Sequence, residues 1–145
     1  MGIETLQYST KNGIYFVLLL LMKNSKKHKI LVIEDDADVL AAVESILTVK
    51  GFEVYTSSTG LDAMSLVEEK KPSLVITDIF LGDVDGRIIC QSIKNNPQTS
   101  HIPIIIISGK PEIYNTIQHV GANDVVLKPF NHETLLQRVE RQLCA

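Results

Sequence analysis

The segment Leu74–Gly86, LVITDIFLGDVDG, decides the fold of this 145-residue chain. Its opening residues, Leu74–Thr77, are apolar or β-branched, a pattern that is too short for a helix and typical of a buried strand. Asp78 follows this strand directly, and the chain then turns through glycines and acids. Because open α/β sheets bind ligands at the carboxyl ends of their strands, Asp78 is a candidate site residue. Burial of a lone carboxylate is costly, so we expect a cationic partner to face it.

Three other strand ends supply polar side chains that could share a site with Asp78. Glu34-Asp35-Asp36 follows one apolar segment, Ser108 ends a second and Lys128 follows a third. Clustered carboxylates repel one another and bind a hard divalent cation, most naturally Mg²⁺. The cation and the lysine would neutralise an incoming phosphoryl group, and the serine hydroxyl could donate to it. With Asp78 as the nucleophile, these residue types indicate a metal-assisted phosphoryl acceptor.

Strand and helix patterns alternate five times along the chain. The predicted strands are Ile30–Ile33, Phe52–Thr56, Leu74–Thr77, Ile102–Ile107 and Val125–Leu127. Five helices are predicted. The first ends at Gly51, and the second could be capped by Ser57, Ser58 or Thr59, with a buried stripe at Leu61, Met64 and Val67 or close neighbours. The third contains Ile88, Ile89 and Ile93, the fourth covers about 112–119 and ends at Gly121, and the fifth is capped by Asn131. This alternation favours the α/β class, a doubly wound parallel sheet with helices on both faces.

The composition fits one domain with an ample core and argues against a surface that binds nucleic acid. The chain is 45% hydrophobic, its formal net charge is −3, and its pI is near 5.8. Such a chain lacks the excess positive charge that attracts a phosphate backbone. The cysteines, Cys90 and Cys144, stand far apart without further metal ligands at suitable spacing. They are typical of a reducing compartment, which predicts a cytoplasmic location.

Residues 1–28 form a predicted extension before a domain that spans residues 29–145. Within the extension, Ile14–Met22 (IYFVLLLLM) is apolar, but it falls well short of the ~20 residues that a bilayer-spanning helix needs. The basic segment Lys23–Lys29 follows the apolar run where a signal peptide would have its cleavage site. Two interpretations stay open: a short interfacial membrane anchor, or an upstream extension of a chain whose true first residue is Met22.

Each polar signal has a structural explanation when it is considered alone. Glu34-Asp35-Asp36 could begin a helix, since acids favour the positive end of the helix dipole. Asp78 could be a turn acid, and Ser108 could belong to an ordinary strand-to-helix turn. Lys128 is the most specific signal, because a lysine on a buried strand needs a charged partner. All four signals follow predicted parallel strands and therefore share one edge, which favours a common site.

Four ordered motifs resemble the receiver domain of two-component response regulators, from about Lys29 to Leu143. The motifs are ILVIEDD, LVITDIFLGDVDG, IPIIIISG and GANDVVLKPF. The resemblance implies a flavodoxin-like, five-stranded sheet of order 2-1-3-4-5, with the site at the topological switch point. It implies a phosphoacceptor that catalyses its own phosphorylation and dephosphorylation, and not a turnover enzyme acting on an external substrate. A sensor histidine kinase or a histidine phosphotransfer protein would supply the phosphoryl group.

The resemblance also assigns a role to each candidate residue. Asp78 is the implied phosphoacceptor, and the hydroxyl of Ser108 and the amine of Lys128 would contact the phosphoryl group. The implied contacts of Mg²⁺ are Glu34, Asp35, Asp78 and the backbone carbonyl of Phe80. Of the acidic pair, Asp35 is expected to be the more direct metal ligand.

Two departures from the family pattern concern the loop after the phosphoacceptor and the output of the domain. Leu81-Gly82 replaces the usual Met-Pro, and Val125 stands where the family usually has a switch aromatic. Since no effector domain follows Ala145, we expect a stand-alone receiver. Its output would be an unknown protein partner, or a homodimer formed through its fourth helix, fifth strand and fifth helix. Val125 also keeps open a second hypothesis, a constitutive docking module that is not phosphorylated.

Two enzymatic or cofactor-binding alternatives fit the residues less well. An aspartate-nucleophile phosphatase commonly needs a second acid two residues after the nucleophile, where this chain has Phe80. A flavin-binding relative of the same fold would place its phosphate loop at Glu34-Asp35-Asp36, where the acids would repel a phosphate monoester.

Overall fold

The computed structural model describes residues 10–24 and 26–144, and this part of the chain contains a five-stranded parallel sheet. In chain order the strands are β1 (Lys29–Ile33), β2 (Glu53–Ser57), β3 (Leu74–Asp78), β4 (Phe80–Leu81), β5 (Val84–Asp85), β6 (Ile104–Ser108) and β7 (Asp124–Leu127). The main sheet has the order β2-β1-β3-β6-β7, and β4 pairs with β5 in a separate antiparallel hairpin. Counted among the main-sheet strands alone, this order is 2-1-3-4-5, so the predicted doubly wound fold is confirmed.

Helices cover both faces of the sheet. They are α2 (Ala37–Lys50), α3 (Ala63–Lys70), α4 (Gly86–Asn95), α5 (Ile117–Val120) and α6 (His132–Leu143), whereas α1 (Thr10–Asn24) precedes the first strand and lies in the extension. Alternate side chains of a strand point to opposite faces, so each central strand contributes to two cores. On β1, Leu31 and Ile33 pack in one core with α3 and α4, while Ile30 and Val32 pack in the other with α2 and α6.

Two helix ends follow the capping residues that the sequence predicts. Gly51 ends α2 in the left-handed conformation, with φ 103°, which glycine adopts without a steric penalty. The side chain of Asn131 begins α6 by accepting a hydrogen bond of 2.8 Å from the N–H of Thr134. Both predicted helix ends are therefore confirmed.

The predicted cap and buried stripe of the next helix were partly wrong. α3 begins only at Ala63, so Leu61 lies in the preceding turn and is 81% exposed. The hydroxyl of Ser57 donates to the carboxylate of Asp62 and accepts from the N–H of Gly60, and it therefore stabilises the turn instead of capping the helix. In α4, Ile88 is exposed beside the buried Ile89, because neighbouring residues of a helix point in different directions.

The weak helix predicted over residues 112–119 is divided in two. A 3₁₀-helix covers Pro111–Asn115, and the four-residue α5 follows and ends at Gly121, as predicted. Each half has one buried apolar side chain, Ile113 and Val120 respectively, so little packing holds the segment in one continuous helix.

The predicted apolar run of the extension lies within α1. Its side chains, from Ile14 to Met22, are between 44% and 71% exposed. Among the described residues, none of the helices combines the length and apolar character required to cross a bilayer. The domain boundary after residue 28 and the start at Met22 stay predictions, and residues 1–9 lie outside the described part of the chain.

Candidate functional site

The sheet brings the predicted site residues to one edge. Glu34 directly follows β1, Asp78 is the last residue of β3, and Ser108 is the last residue of β6. In the β3–β6 pair, Asp78 lies opposite Ile107, so Ser108 is one position further along the same edge. Lys128 follows β7, and its backbone N–H donates to the Ser108 carbonyl oxygen at 2.8 Å. The strand register therefore positions all four side chains.

Three carboxylates form a cluster at this edge. Glu34, Asp35 and Asp78 each offer an oxygen, and these oxygens lie within 4.8 Å of one another. Glu34 and Asp78 are buried, whereas Asp35 is exposed, so the cluster opens toward solvent on one side. Hard carboxylate oxygens that converge in this way are the ligands that Mg²⁺ prefers.

Lys128 bridges the two buried carboxylates. Its Nζ lies 2.7 Å from Asp78 Oδ2, in a hydrogen bond, and 2.8 Å from Glu34 Oε2. The second contact is an ion pair without hydrogen-bond geometry, so the buried Glu34 Oε2 has no hydrogen-bond donor among the described residues. One lysine against three carboxylates leaves excess negative charge and an unsatisfied oxygen. The three carboxylates are therefore suitable ligands for a divalent cation.

The pKa shifts of this cluster reflect burial and close charges. Burial raises the pKa of Glu34, and the charge of Asp78 raises it further, although the close contact with Lys128 and the hydrogen bond from the Asp36 N–H act in the opposite direction. Burial alone would lower the pKa of Lys128, but its contacts with Asp78 and Glu34 outweigh burial and raise that pKa. The lysine is therefore held in its charged form between crowded carboxylates.

Backbone donors fix the orientation of the Asp78 carboxylate. Its Oδ1 accepts hydrogen bonds from the N–H of Ile79 at 2.6 Å and from the N–H of Phe80 at 3.2 Å. Since Lys128 occupies Oδ2, both oxygens have a donor, and hydrogen bonds to a charged acceptor are among the stronger ones.

Asp36 has a different role from the other two acids of its run. Its Oδ1 accepts from the N–H of Asp38 at 2.9 Å and of Val39 at 3.1 Å, so it caps the start of α2. Its own N–H donates to Glu34 Oε1 at 3.1 Å. The helix-start interpretation is therefore correct for Asp36, which orients Glu34 through its backbone.

Phe80 and Lys110 contact each other beside the cluster. The Phe80 ring is 54% exposed, and Lys110 Nζ lies 4.5 Å from its centroid, within the range of a cation–π interaction. The N–H of Lys110 also donates to Ser108 Oγ at 3.1 Å. The metal contact assigned to the Phe80 carbonyl stays a prediction.

The structural requirement for Gly86 was not predicted from the sequence. A Cβ atom at this position would lie 2.0 Å from the backbone carbonyl oxygen of Asp78, and the Gly86 N–H donates to the Ile79 carbonyl at 2.7 Å. Only glycine permits so close an approach without displacement of the backbone. The pair Asp85-Gly86 indicated a turn, but the strand that the turn contacts is a tertiary feature.

Similarity to known proteins identifies the family to which this chain belongs. The family described as response regulator receiver domain matches residues 30–140, so the chain belongs to this family. The chain is 35% identical over 121 residues to Probable transcriptional regulator ycf27 of Porphyra purpurea, covering 82% of this chain and 49% of that protein. It is 32% identical to DNA-binding dual master transcriptional regulator RpaA of Synechocystis sp., covering 79% and 48% respectively. The chain thus spans about half the length of these relatives.

Solved structures agree with this assignment. The chain matches chemotaxis response regulator CheY4 of Vibrio cholerae with a TM-score of 0.76 and 27% identity, over 81% of this chain and 100% of that one. It matches the receiver domain of NtrX from Brucella abortus with a TM-score of 0.73 and 32% identity, over 80% and 98%. The receiver resemblance is confirmed. Receiver domains are phosphoacceptors of two-component signalling that interact with histidine kinases and use Mg²⁺ in an acidic pocket.

Proposed function

We propose that Asp78 accepts a phosphoryl group from the phosphohistidine of a sensor kinase or phosphotransfer protein. In this step an Asp78 carboxylate oxygen forms a bond to phosphorus while the bond between phosphorus and the histidine nitrogen breaks, and the imidazole keeps the electron pair. The observation that carries the proposal is the oriented Asp78 carboxylate, with Lys128 Nζ at 2.7 Å and two further carboxylates beside it. The same residues would catalyse the later hydrolysis.

The neighbouring residues have separate tasks in this proposal. Glu34, Asp35, Asp78 and the Phe80 carbonyl would hold Mg²⁺, which, when bound, neutralises charge on the phosphoryl oxygens. Lys128 would move its ion pair from the aspartate to the phosphoryl group. Ser108, buried at the end of β6, would donate its hydroxyl to a phosphoryl oxygen.

We assign the output to the face formed by α5, β7 and α6, where a protein partner or a second copy would bind. Asp124 on β7 already pairs within the chain with Arg138 and Arg141 on α6, so this face contains charges that phosphorylation could rearrange. Val125 stands at the switch-aromatic position and lies in the core, 1% exposed. Because valine has no ring that could rotate on phosphorylation, the signal would depend on another shift of this face. The free cysteines, Cys90 and Cys144, support a cytoplasmic location.

The test is incubation of the full chain with Mg²⁺ and a small phosphodonor, followed by intact mass measurement. We expect one added phosphate in the wild type and none in Asp78→Asn. Asp83→Asn is the matched control, because it removes the same charge from an exposed position in the adjacent turn. Uptake by Asp78→Asn at the wild-type level would overturn the assignment. No uptake in the wild type would favour the constitutive docking module instead.

A further inference from the structure

The helix α1 exposes an apolar surface around its whole circumference. Every side chain of Ile14–Met22 is at least 44% exposed, and the run is continuous, without a charged residue and with the Tyr15 hydroxyl as its single polar side-chain group. An amphipathic surface helix has one apolar stripe, whereas a helix that is apolar on all sides needs an apolar environment on all sides. A second copy of the helix, or a groove on a protein, would cover one stripe and leave the rest in water. A lipid phase covers all of it.

A strongly basic groove follows this helix in the chain. The groove has a volume of about 490 Å³, and its charged lining includes Lys26, Lys27, Lys29, Lys70 and Lys71 against a single carboxylate, Glu69. Glu69 pairs with Lys70 at 2.8 Å, while Lys26, Lys27 and Lys71 have no carboxylate within ion-pair distance in the described residues. The unpaired lysines therefore give the groove a net positive charge that complements an anionic surface.

Chain connectivity keeps the helix and the groove together. Asn24 ends α1 and Lys26 lines the groove, so only Ser25 lies between them. A step of two residues spans at most about 7 Å, so any surface that holds the helix also meets the lysines. Apolar and basic elements in this arrangement match the two parts of an anionic lipid surface, acyl chains and phosphate headgroups.

We propose that the chain attaches to the surface of an anionic lipid bilayer through α1 and the basic groove. The nine apolar residues extend about 13 Å along the helix, less than half of the ~30 Å hydrocarbon layer, so α1 enters one leaflet without crossing. The helix satisfies its own backbone hydrogen bonds, which permits burial among acyl chains. Lysines of the groove bind headgroup phosphates and contribute the preference for anionic lipid.

This attachment leaves the phosphoacceptor edge accessible. The groove includes Lys29 at the start of β1, the end of α3 and Ser73 just before β3, so it lies at the amino end of the strands. Asp78 lies at the carboxyl end of β3, across the length of the sheet. A membrane-bound chain therefore presents its carboxylate cluster away from the lipid, where a kinase can reach it.

The experiment is co-sedimentation of the full chain with vesicles of phosphatidylcholine alone and of phosphatidylcholine mixed with phosphatidylserine. Leu18→Asp places a charge in the middle of the apolar run and should weaken partition at least about tenfold. Its control, Leu61→Asp, makes the same change at an exposed leucine of the folded domain and should bind like the wild type. Circular dichroism of each variant verifies that the fold is retained.

A second pair of variants tests the groove. Lys26→Gln combined with Lys27→Gln should weaken binding to the anionic vesicles by about fivefold for each lysine, and added salt should weaken the wild type. Lys110→Gln removes a charge from the opposite edge of the sheet and should have little effect. Equal partition of wild type and Leu18→Asp, or equal binding to both vesicle types, would overturn the proposal. Self-association without vesicles that Leu18→Asp abolishes would identify a second copy as the occupant and would overturn it too.

Discussion

Replacement of Phe80 by Asn should shorten the lifetime of the phosphate on Asp78. Hydrolysis needs a water in line with the bond between the Asp78 oxygen and phosphorus, and a polar side chain two residues after the acceptor can help to position that water. The Phe80 ring offers no hydrogen bond to water. Its contact with Lys110, 4.5 Å from the ring centroid, holds both side chains beside the site. We therefore expect the pair to shield a phosphoryl group on Asp78, with Lys110 pairing with phosphate instead of orienting a nucleophile.

The magnitude follows from two small contributions. The cation–π contact between Lys110 and the half-exposed Phe80 ring contributes about 0.5 kcal/mol. This contribution to shielding of the site is lost when the ring is removed. A hydrogen bond from Asn to the attacking water stabilises the transition state by about 1 kcal/mol. Since about 1.4 kcal/mol corresponds to a tenfold change in rate, decay should be roughly tenfold faster in Phe80→Asn.

The assay follows loss of the Asp78 phosphate by intact mass after the phosphodonor has been removed. Phe80→Leu is the matched control, because it keeps an apolar side chain, loses the ring and gains no hydrogen bond to water. Its decay rate should lie between those of the wild type and Phe80→Asn. Lys110→Ala, which removes the cation and leaves the ring, should be intermediate as well. Equal decay in wild type and Phe80→Asn, or faster decay in the wild type, would refute the shielding explanation.

Three further predictions concern a close backbone contact, the extension before the domain and the two thiols. Gly86→Ala should destabilise the fold by about 1–3 kcal/mol in thermal unfolding, because its Cβ overlaps a carbonyl oxygen of β3, whereas Gly109→Ala has open space and should be nearly neutral; equal unfolding midpoints would contradict the close contact. A chain beginning at Met22 should fold and take up phosphate like the full chain, and an unfolded product would show that the apolar run belongs to the core. In the native chain Cys144 should react with a thiol reagent at neutral pH and Cys90 should not, because burial raises the pKa of Cys90 to about 12; equal labelling by peptide mapping would contradict this.

The sheet could be predicted because its central strands carry unambiguous local patterns. β3 and β6 are buried at every position, and runs of β-branched residues of this length exclude a helix. Gly51 and Asn131 also determine their helix ends locally, since each acts on backbone groups within a few residues. Such features depend on nearby sequence and need no knowledge of the tertiary structure.

The errors arose where a helical period continued beyond the helix. Leu61 has suitable spacing with Met64 and Val67, but the turn at Gly60, with φ 76°, delays the start of α3 until Ala63. Periodicity describes which residues would share a face if they were helical, and it does not show where the helix begins. The required glycine at position 86 escaped for a related reason, because its neighbour across the turn is a carbonyl oxygen of β3.

The charged site was readable from sequence for a topological reason. Glu34, Asp78, Ser108 and Lys128 are separated by 20 to 44 residues along the chain, so no local pattern joins them. A parallel sheet directs every strand toward the same edge, and residues just after different strands become neighbours whenever those strands are adjacent. Recognition of the strands was therefore sufficient to predict a shared edge, whereas the strand order that makes these residues neighbours came from the family resemblance. Their exact pairing, in which Lys128 Nζ lies 2.8 Å from Glu34 Oε2 without hydrogen-bond geometry, depends instead on the angles at which the two groups meet, which a residue pattern does not encode.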